Sequence, residues 1–154
     1  MFLNSVLDRR AINGQVSVHS KRQALQTVAD MAARQLGLDS AEIFQALLER
    51  EKAGSTGVGQ GVAVPHAALK GLDRMYGIFV HLETPVEYDA IDDRPVDLVF
   101  ALLAPEGAGS EHLRALAKVS RLLRQKELRE QLRTINNTDA IYALLTGGAD
   151  SNAA

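Results

Sequence analysis

The sequence contains no cysteine among its 154 residues. Disulfide bonds, thiol catalysis and cysteine-based zinc sites are therefore excluded. The chain also lacks an apolar run of the roughly 18 to 20 residues that a membrane-spanning helix needs. Its first residues, MFLNSVLDRRAING, lack the basic start and long apolar segment of a secretory signal. We therefore expect a cytoplasmic protein that does not insert directly into a membrane.

An excess of charge of one sign is absent as well. Lys and Arg number 17, Asp and Glu number 19, and the formal net charge is −2. This balance, without a long basic run, argues against a nucleic-acid binder that relies on phosphate neutralisation. The length and the 46% hydrophobic content suit one domain with a full core. We expect a single domain over residues 1–147 and a disordered tail over residues 148–154.

Two amphipathic helices are predicted in the first third of the chain. The first is SKRQALQTVADMAARQLG, in which Ser20 is the expected N-cap and Gly37 the stop. The second is DSAEIFQALLEREKAG, in which Asp39 and Glu42 have capping-box spacing. Three more helices are expected after residue 109, in SEHLRALAKVSRLLRQ, KELREQLRTI and NTDAIYALLTG, the last with Asn137 as its cap.

Strand patterns lie between the two groups of helices. The predicted strands are QVSVH, VAV, MYGIFVHLE and VDLVFALLA, and the segment GSTGVGQG is predicted to be a loop. The last two strands are joined without a long helix, which disfavours an all-parallel sheet. The fold class expected is therefore α/β, with a mixed four- to five-stranded sheet flanked by helices on both faces.

The glycine-rich loop does not fit the common nucleotide-binding motifs. Gly54 and Gly59 have Walker-A spacing, but Gln60 and Gly61 stand where Lys and Ser or Thr are required. The third glycine of a dinucleotide fingerprint is replaced by Val62. The four histidines also lack metal-ligand spacing. No nucleotide or metal site is expected.

The most informative segment is GQGVAVPHA, where His66 follows a proline after a short apolar run. A lone histidine at such a place is ordinarily a hydrogen-bonded structural residue. A second interpretation takes in Arg50, the hydroxyls of Ser55 and Thr56, and His112 near a helix start. Together with glycine N–H groups, these are suitable groups for holding a phosphoryl group against an imidazole nucleophile. The residues alone do not show that they converge.

The spacing around His66 resembles a known phosphohistidine signature. Glu51 is followed by six residues, Val58-Gly59, two residues and then VAVPHA. This pattern is similar to that of the fructose/mannitol-type enzyme IIA domains of the phosphoenolpyruvate-dependent phosphotransferase system. The segments LETPVEYDAIDDRPVDLVFALLAP and HLRALAKVSRLL resemble the nitrogen-regulatory branch of that family. The resemblance covers the chain from about Leu3 to Leu145.

The resemblance assigns a role to each candidate residue. It implies that His66 is the phosphoryl acceptor, that His112 is a second active-site histidine, and that Arg50 lies near the site. Ser55 and Thr56 correspond to hydroxyls of a phosphoryl-binding loop. The resemblance implies no metal and no organic cofactor, and it implies a mixed sheet flanked by helices. In the nitrogen-type branch the donor is a histidine-phosphorylated carrier resembling HPr, and regulatory partners include potassium transporters and sensor kinases.

Three functions remain open at this point. The first is a regulatory phosphocarrier, and the second is a sugar-transport IIA component that passes its phosphoryl group to a separate IIB protein. The third is a binding module that has kept the fold and lost the chemistry. The chain has no cysteine for a IIB-type acceptor and no membrane domain, which favours the first function. The intact signature, together with Arg50 and His112, argues against the third.

Overall fold

The computed structural model describes residues 2–153 of the chain, with side chains for residues 3–147. Six helices and six strands are present in this part. In chain order they are α1 (Phe2–Val6), β1 (Leu7–Val16), α2 (Lys21–Leu36), α3 (Ser40–Lys52), β2 (Gly57–Gly59), β3 (Val62–Ala63), β4 (His66–Leu69), β5 (Tyr76–Val86), β6 (Val96–Pro105), α4 (Ser110–Leu122), α5 (Lys126–Thr134) and α6 (Thr138–Ala153).

The strands form one mixed sheet in the order β1-β5-β6-β3-β2, and β4 also pairs with β6. Strand β5 is antiparallel to β6, whereas β1 is parallel to β5, and β3 and β4 are both parallel to β6. The predicted α/β class and mixed sheet are thus confirmed. The predicted number of strands, four to five, is wrong, because the sheet has six.

Two short strands account for this difference. Strand β2 forms inside the segment predicted to be a loop, because Gly57 and Gly59 pair with Ala63 and Val62 of β3. Strand β4 begins at His66 and pairs with Leu102 onward in β6. Strand β2 thus forms by pairing with the neighbouring β3, and β4 forms by pairing with the distant β6. Strand β1 also lies earlier than predicted, over Leu7–Val16 rather than around QVSVH.

The helices cover both faces of the sheet, as predicted. On one face, α2 and α3 pack their apolar side chains against the sheet around Leu25, Val28 and Leu47. On the other face, α1 and the three C-terminal helices enclose a second core around Phe79, Phe100 and Leu132. Side chains in these two layers are largely excluded from water, which is the main source of folding free energy.

Several helix ends follow the predicted chemistry. The Ser20 hydroxyl accepts a hydrogen bond from the Gln23 N–H at the start of α2, and Gly37 ends that helix with φ of 70°. Asp39 caps α3 by accepting from the Ala41 N–H. Asn137 accepts from the Ala140 N–H at the start of α6.

Helix α6 spans Thr138–Ala153, so it overlaps the tail from residue 148 that the sequence predicted to be disordered. The side chains of residues 148–154 and the whole of residue 154 lie outside the described part, so disorder of the tail stays a prediction.

Candidate functional site

His66 lies at the first position of β4, directly after the Val64-Pro65 dipeptide that follows β3. Pro65 fixes its own φ and favours an extended conformation at Val64. The sheet then holds His66 level with Leu102 of the central strand β6. The imidazole is half-buried and is placed by regular structure rather than by a mobile loop.

The hydrogen bonds of the ring define its tautomer. The guanidinium Nε–H of Arg50 donates to Nε2 of His66 over 3.1 Å. Because a guanidinium can only donate, Nε2 must carry a lone pair. The ring proton is then on Nδ1, which lies 3.0 Å from the carbonyl oxygen of Val64 and donates to it. His66 is therefore a neutral imidazole whose Nε2 can act as a nucleophile.

His112 lies against His66, near the start of α4. The two ring centroids are 5.4 Å apart and the rings are nearly perpendicular, at 88°. His112 Nε2 is a buried side-chain atom without a hydrogen-bond partner in the described part of the chain. A buried polar atom without a hydrogen-bond partner is uncommon in proteins.

Electrostatics keep both imidazoles neutral. Burial lowers the pKa of His66, and the positive charge of Arg50 lowers it further, whereas the hydrogen bond to Val64 and the charge of Glu51 oppose this shift. Burial also lowers the pKa of His112, and the neighbouring His66 adds to the effect. A neutral ring retains the lone pair that nucleophilic attack requires.

Arg50, in the last turn of α3, is held by two contacts. Its Nε–H donates to His66, and its Nη1 donates to the carbonyl oxygen of Gly54 over 2.9 Å. Gly54 has a φ of 150°, a conformation that favours glycine. The structure thus brings together three of the residues selected from the sequence, His66, His112 and Arg50.

The two hydroxyl residues of the loop have other partners. Ser55 Oγ donates to the Tyr88 carbonyl oxygen over 3.0 Å and accepts from the Gly57 N–H over 3.1 Å. Thr56 is buried, and its hydroxyl contacts the Glu51 carboxylate and the Tyr88 hydroxyl. Both hydroxyls therefore hold the loop in place, and their direct contact with a phosphoryl group stays a prediction.

Sequence reasoning did not identify the group of residues that supports the loop, namely Lys21, Glu51 and Tyr88. Lys21 Nζ lies 2.8 Å from the buried Glu51 carboxylate and 4.4 Å from the centre of the Tyr88 ring. A signal for Glu51 was present in the sequence. It follows Ile43 and Leu47 at helical spacing, which places it on the buried face of α3.

Two other features, a metal site and a membrane-spanning helix, are absent from the described part of the chain. No group of three or more His, Asp and Glu side chains there is arranged to hold a metal ion. Among the same residues, no helix has both the length and the apolar character needed to cross a membrane.

Comparison with known proteins finds relatives that match this chain over nearly its whole length. Residues 5–147 match the family described as "Phosphoenolpyruvate-dependent sugar phosphotransferase system, EIIA 2". A nitrogen regulatory protein of Bradyrhizobium diazoefficiens is 45% identical over 145 residues, which is 94% of this chain and 95% of that protein. The crystal structure of nitrogen regulatory protein IIA-Ntr from Neisseria meningitidis is 37% identical. It superposes with a TM-score of 0.89 over 94% of this chain and 99% of that one.

A transport protein is also similar, at a lower level. The fructose-specific EIIABC component of Bacillus subtilis is 32% identical over 94% of this chain, but the match covers only 23% of that longer protein. The family resemblance inferred from the sequence is confirmed by these matches, and the nitrogen regulatory proteins are the more similar group. The chain belongs to the EIIA type-2 family of the phosphoenolpyruvate-dependent phosphotransferase system.

Proposed function

We propose that this protein is a histidine phosphocarrier that accepts a phosphoryl group on Nε2 of His66 and regulates nitrogen-related targets by its phosphorylation state. The observation that carries this proposal is the hydrogen bonding of the His66 ring. Nε2 carries a lone pair that accepts a hydrogen bond from Arg50, while Nδ1 carries the ring proton and donates it to the Val64 carbonyl oxygen. The proposed donor is a histidine-phosphorylated carrier that resembles HPr.

The phosphoryl transfer does not require His66 to gain or lose a proton, because the ring proton is already on Nδ1. The P–N bond of the donor phosphohistidine breaks, and a P–Nε2 bond forms on His66. Arg50 then donates its Nε–H to a phosphoryl oxygen instead of Nε2. An N–H at the unpartnered Nε2 of His112 can donate to a second oxygen. Preorganised donors of this kind stabilise the charge that develops during transfer.

The nitrogen-regulatory role is supported by similarity over nearly the whole chain. The relatives with the higher identities are named nitrogen regulatory proteins, at 45% and 43% identity for those of Bradyrhizobium diazoefficiens and Escherichia coli. The sugar-transport alternative is supported by weaker similarity, at 32% identity, to two fructose-specific components, of which one is matched over 23% and the other over 82% of its own length. Potassium transporters and sensor kinases are proposed partners that rest on the family branch alone. A cytoplasmic location is proposed as well.

Phosphorylation would act as a local change of charge. A phosphoryl group adds about −1.5 to −2 charges at neutral pH. A partner that packs against neutral His66 would then face a desolvated dianion, and unpaired burial of such a charge costs several kcal/mol. The same site can therefore exchange one set of partners for another without a large movement of the backbone.

The test is phosphorylation of the full chain by a phosphorylated HPr-like carrier, followed by mass spectrometry. The wild type should gain about 80 Da in an acid-labile, base-stable form. His66→Ala should show no gain, whereas the control His81→Ala should be labelled at the wild-type rate. Label that persists in His66→Ala, or that maps to His112, would contradict the assignment. Exclusive capture of a sugar-specific IIB protein by the phosphorylated form would favour the transport alternative.

A further inference from the structure

A buried carboxylate lies directly behind the His66 site. Only 3% of the Glu51 side chain is exposed. Its oxygens accept from four donors: Lys21 Nζ at 2.8 Å, the Thr56 N–H at 3.0 Å, the Thr56 hydroxyl, and the Tyr88 hydroxyl at 3.4 Å. Each of these groups presents a hydrogen to the carboxylate, and only an ionised carboxylate offers two oxygens without a hydrogen of its own.

One chain of hydrogen bonds joins this carboxylate to Nδ1 of His66. Glu51 accepts from the Thr56 N–H, and the Thr56 carbonyl accepts from the Val64 N–H over 2.9 Å. The Val64 carbonyl in turn accepts the Nδ1 proton of His66 over 3.0 Å. The residue that fixes the tautomer of His66 is thus itself held in place through Thr56.

A second chain of contacts joins Glu51 to the other ring nitrogen. The Gly54 N–H donates to the Glu51 carbonyl oxygen over 3.1 Å, and the Gly54 carbonyl accepts from Arg50 Nη1 over 2.9 Å. Arg50 Nε then reaches His66 Nε2. The loop between α3 and β2 therefore fixes Arg50 as well as Val64, and the Glu51 carboxylate anchors that loop through Thr56.

We propose that Glu51, neutralised by Lys21, is a positioning residue that keeps His66 in the Nδ1–H tautomer with Arg50 facing Nε2. In neither series of hydrogen bonds does Glu51 contact His66 directly. It acts by holding the Gly54–Thr56 loop, which in turn fixes Arg50 and Val64, the two residues that contact the ring nitrogens. The proposal rests on the proposed function only in so far as Nε2 is the phosphoryl acceptor. The expected tautomer is a property of the unphosphorylated protein and does not depend on the proposed function.

The charge of Glu51 raises the pKa of His66, and so does the hydrogen bond to Val64, which Glu51 holds in place through Thr56. The groups that act on the His66 ring are Arg50, Glu51 and His112, together with the Val64 carbonyl. Among the charged ones, Arg50 lowers the pKa of His66 and Glu51 raises it. Loss of the Glu51 charge should therefore lower the titration midpoint of His66, a change that a purely mechanical effect on stability would not produce.

The experiment compares Glu51→Gln with the control Glu49→Gln. Both substitutions remove one carboxylate charge from α3, but Glu49 is exposed and accepts hydrogen bonds from Gln45 and Lys52 of the same helix. The first measurement is the ¹⁵N NMR spectrum of the His66 ring in the full, unphosphorylated chain. In the wild type and in Glu49→Gln, Nδ1 should be protonated and Nε2 should not. In Glu51→Gln the two tautomers should mix, and the titration midpoint should fall.

The second measurement is the rate of phosphorylation by phosphoramidate, a small donor that needs no protein partner. Its P–N bond breaks, ammonia leaves, and a P–Nε2 bond forms. Glu51→Gln should react roughly tenfold more slowly than the wild type, because misplaced reacting groups lose much of the benefit of orientation. Glu49→Gln should react at the wild-type rate.

The double variant Lys21→Met/Glu51→Leu keeps the test decisive if Glu51→Gln does not fold. It replaces the buried ion pair by apolar groups, which proteins generally tolerate better than a single unpaired charge. It should show the same mixed tautomers and the same slow reaction. A wild-type tautomer and rate in a folded Glu51 variant would overturn the proposal. A wild type that phosphoramidate does not label on His66 would instead contradict the proposed function and leave the NMR result standing.

Discussion

Two clusters in this protein combine a histidine with an arginine, yet their chemistry differs. The first cluster is His66, His112 and Arg50. The second, composed of His81, Asp97 and Arg133, lies toward the other end of β6, where His81 is level with Leu98. In both clusters the histidine Nδ1 contacts a main-chain carbonyl oxygen, that of Val64 for His66 and that of Gly14 for His81, at 3.0 and 3.2 Å.

The carboxylate of Asp97 accounts for the difference. Arg133 donates to both Asp97 oxygens through Nε and Nη2, over 2.9 to 3.1 Å, and His81 Nε2 lies 3.8 Å from the same carboxylate. The charge of Arg133 is thus neutralised internally. The Arg50 guanidinium donates instead to an imidazole nitrogen and to a carbonyl oxygen. A carboxylate thus pairs with the arginine in the second cluster, whereas in the first the proposed function assigns the charge of Arg50 to an incoming phosphoryl group.

The largest contrast is expected between the two arginines. Arg50→Ala removes a positive charge that stabilises the transferring phosphoryl group, so transfer from the carrier should slow roughly a hundredfold. Arg133→Ala should leave the rate unchanged and lower the free energy of unfolding by about 1 to 2 kcal/mol, because a charged hydrogen-bonded pair that is partly exposed is lost. Transfer kinetics and urea unfolding of the two variants check this contrast. Equal transfer rates would return Arg50 to a structural role.

A smaller loss of rate is expected when His112 is removed, since the second cluster has no counterpart of this histidine. His112→Ala deletes the buried, unpartnered Nε2 and should slow transfer roughly tenfold, because one of several hydrogen-bond donors to the phosphoryl oxygens is lost. His19, which is exposed and lies just before α2, provides the control: His19→Ala should transfer at the wild-type rate. Circular dichroism should show that both variants are folded. An unchanged rate in His112→Ala would mean that Nε2 has no role in holding the phosphoryl group.

Local chemistry in the sequence was enough to predict the elements with strong periodicity. Ser20, Gly37, Asp39 and Asn137 act at the helix ends where their types indicated. Strands β2 and β4 could not be predicted in this way, because they have four residues or fewer and exist only through pairing with β3 and β6. Their sequences, GVG and HAAL, also lack the run of branched apolar residues by which the equally short β3 was predicted from VAV.

The candidate site was predictable to a different extent. Residue types suggested a phosphoryl site around His66, but only the family resemblance indicated that Arg50 and His112 would meet it. The hydroxyls of Ser55 and Thr56 illustrate the limit. Their partners, Tyr88 and the buried Glu51, are fixed by tertiary packing between distant segments, and no spacing in the sequence reveals that packing.

The smallest expected effect concerns the pH dependence of stability, and it distinguishes the neutral first cluster from an ion pair. Burial lowers the pKa of His66 and of His112 below the ordinary value of 6.5, so the unfolded chain binds protons more readily than the folded one as the pH falls below that value. Stability therefore rises with pH across the window between the lowered folded pKa values and 6.5, and is flat above it.

Removing both rings should flatten this part of the profile. In His66→Gln/His112→Gln no imidazole in the site has to stay neutral, so the free energy of unfolding should change less between neutral pH and the lower end of that window than it does in the wild type. Urea unfolding at a series of pH values measures the difference, with His19→Gln as the exposed control. A wild-type slope that persists in the double variant would show that other groups carry the pH dependence. A slope of opposite sign in the wild type would show that the site is held in a charged state, as an imidazole paired with a carboxylate would be.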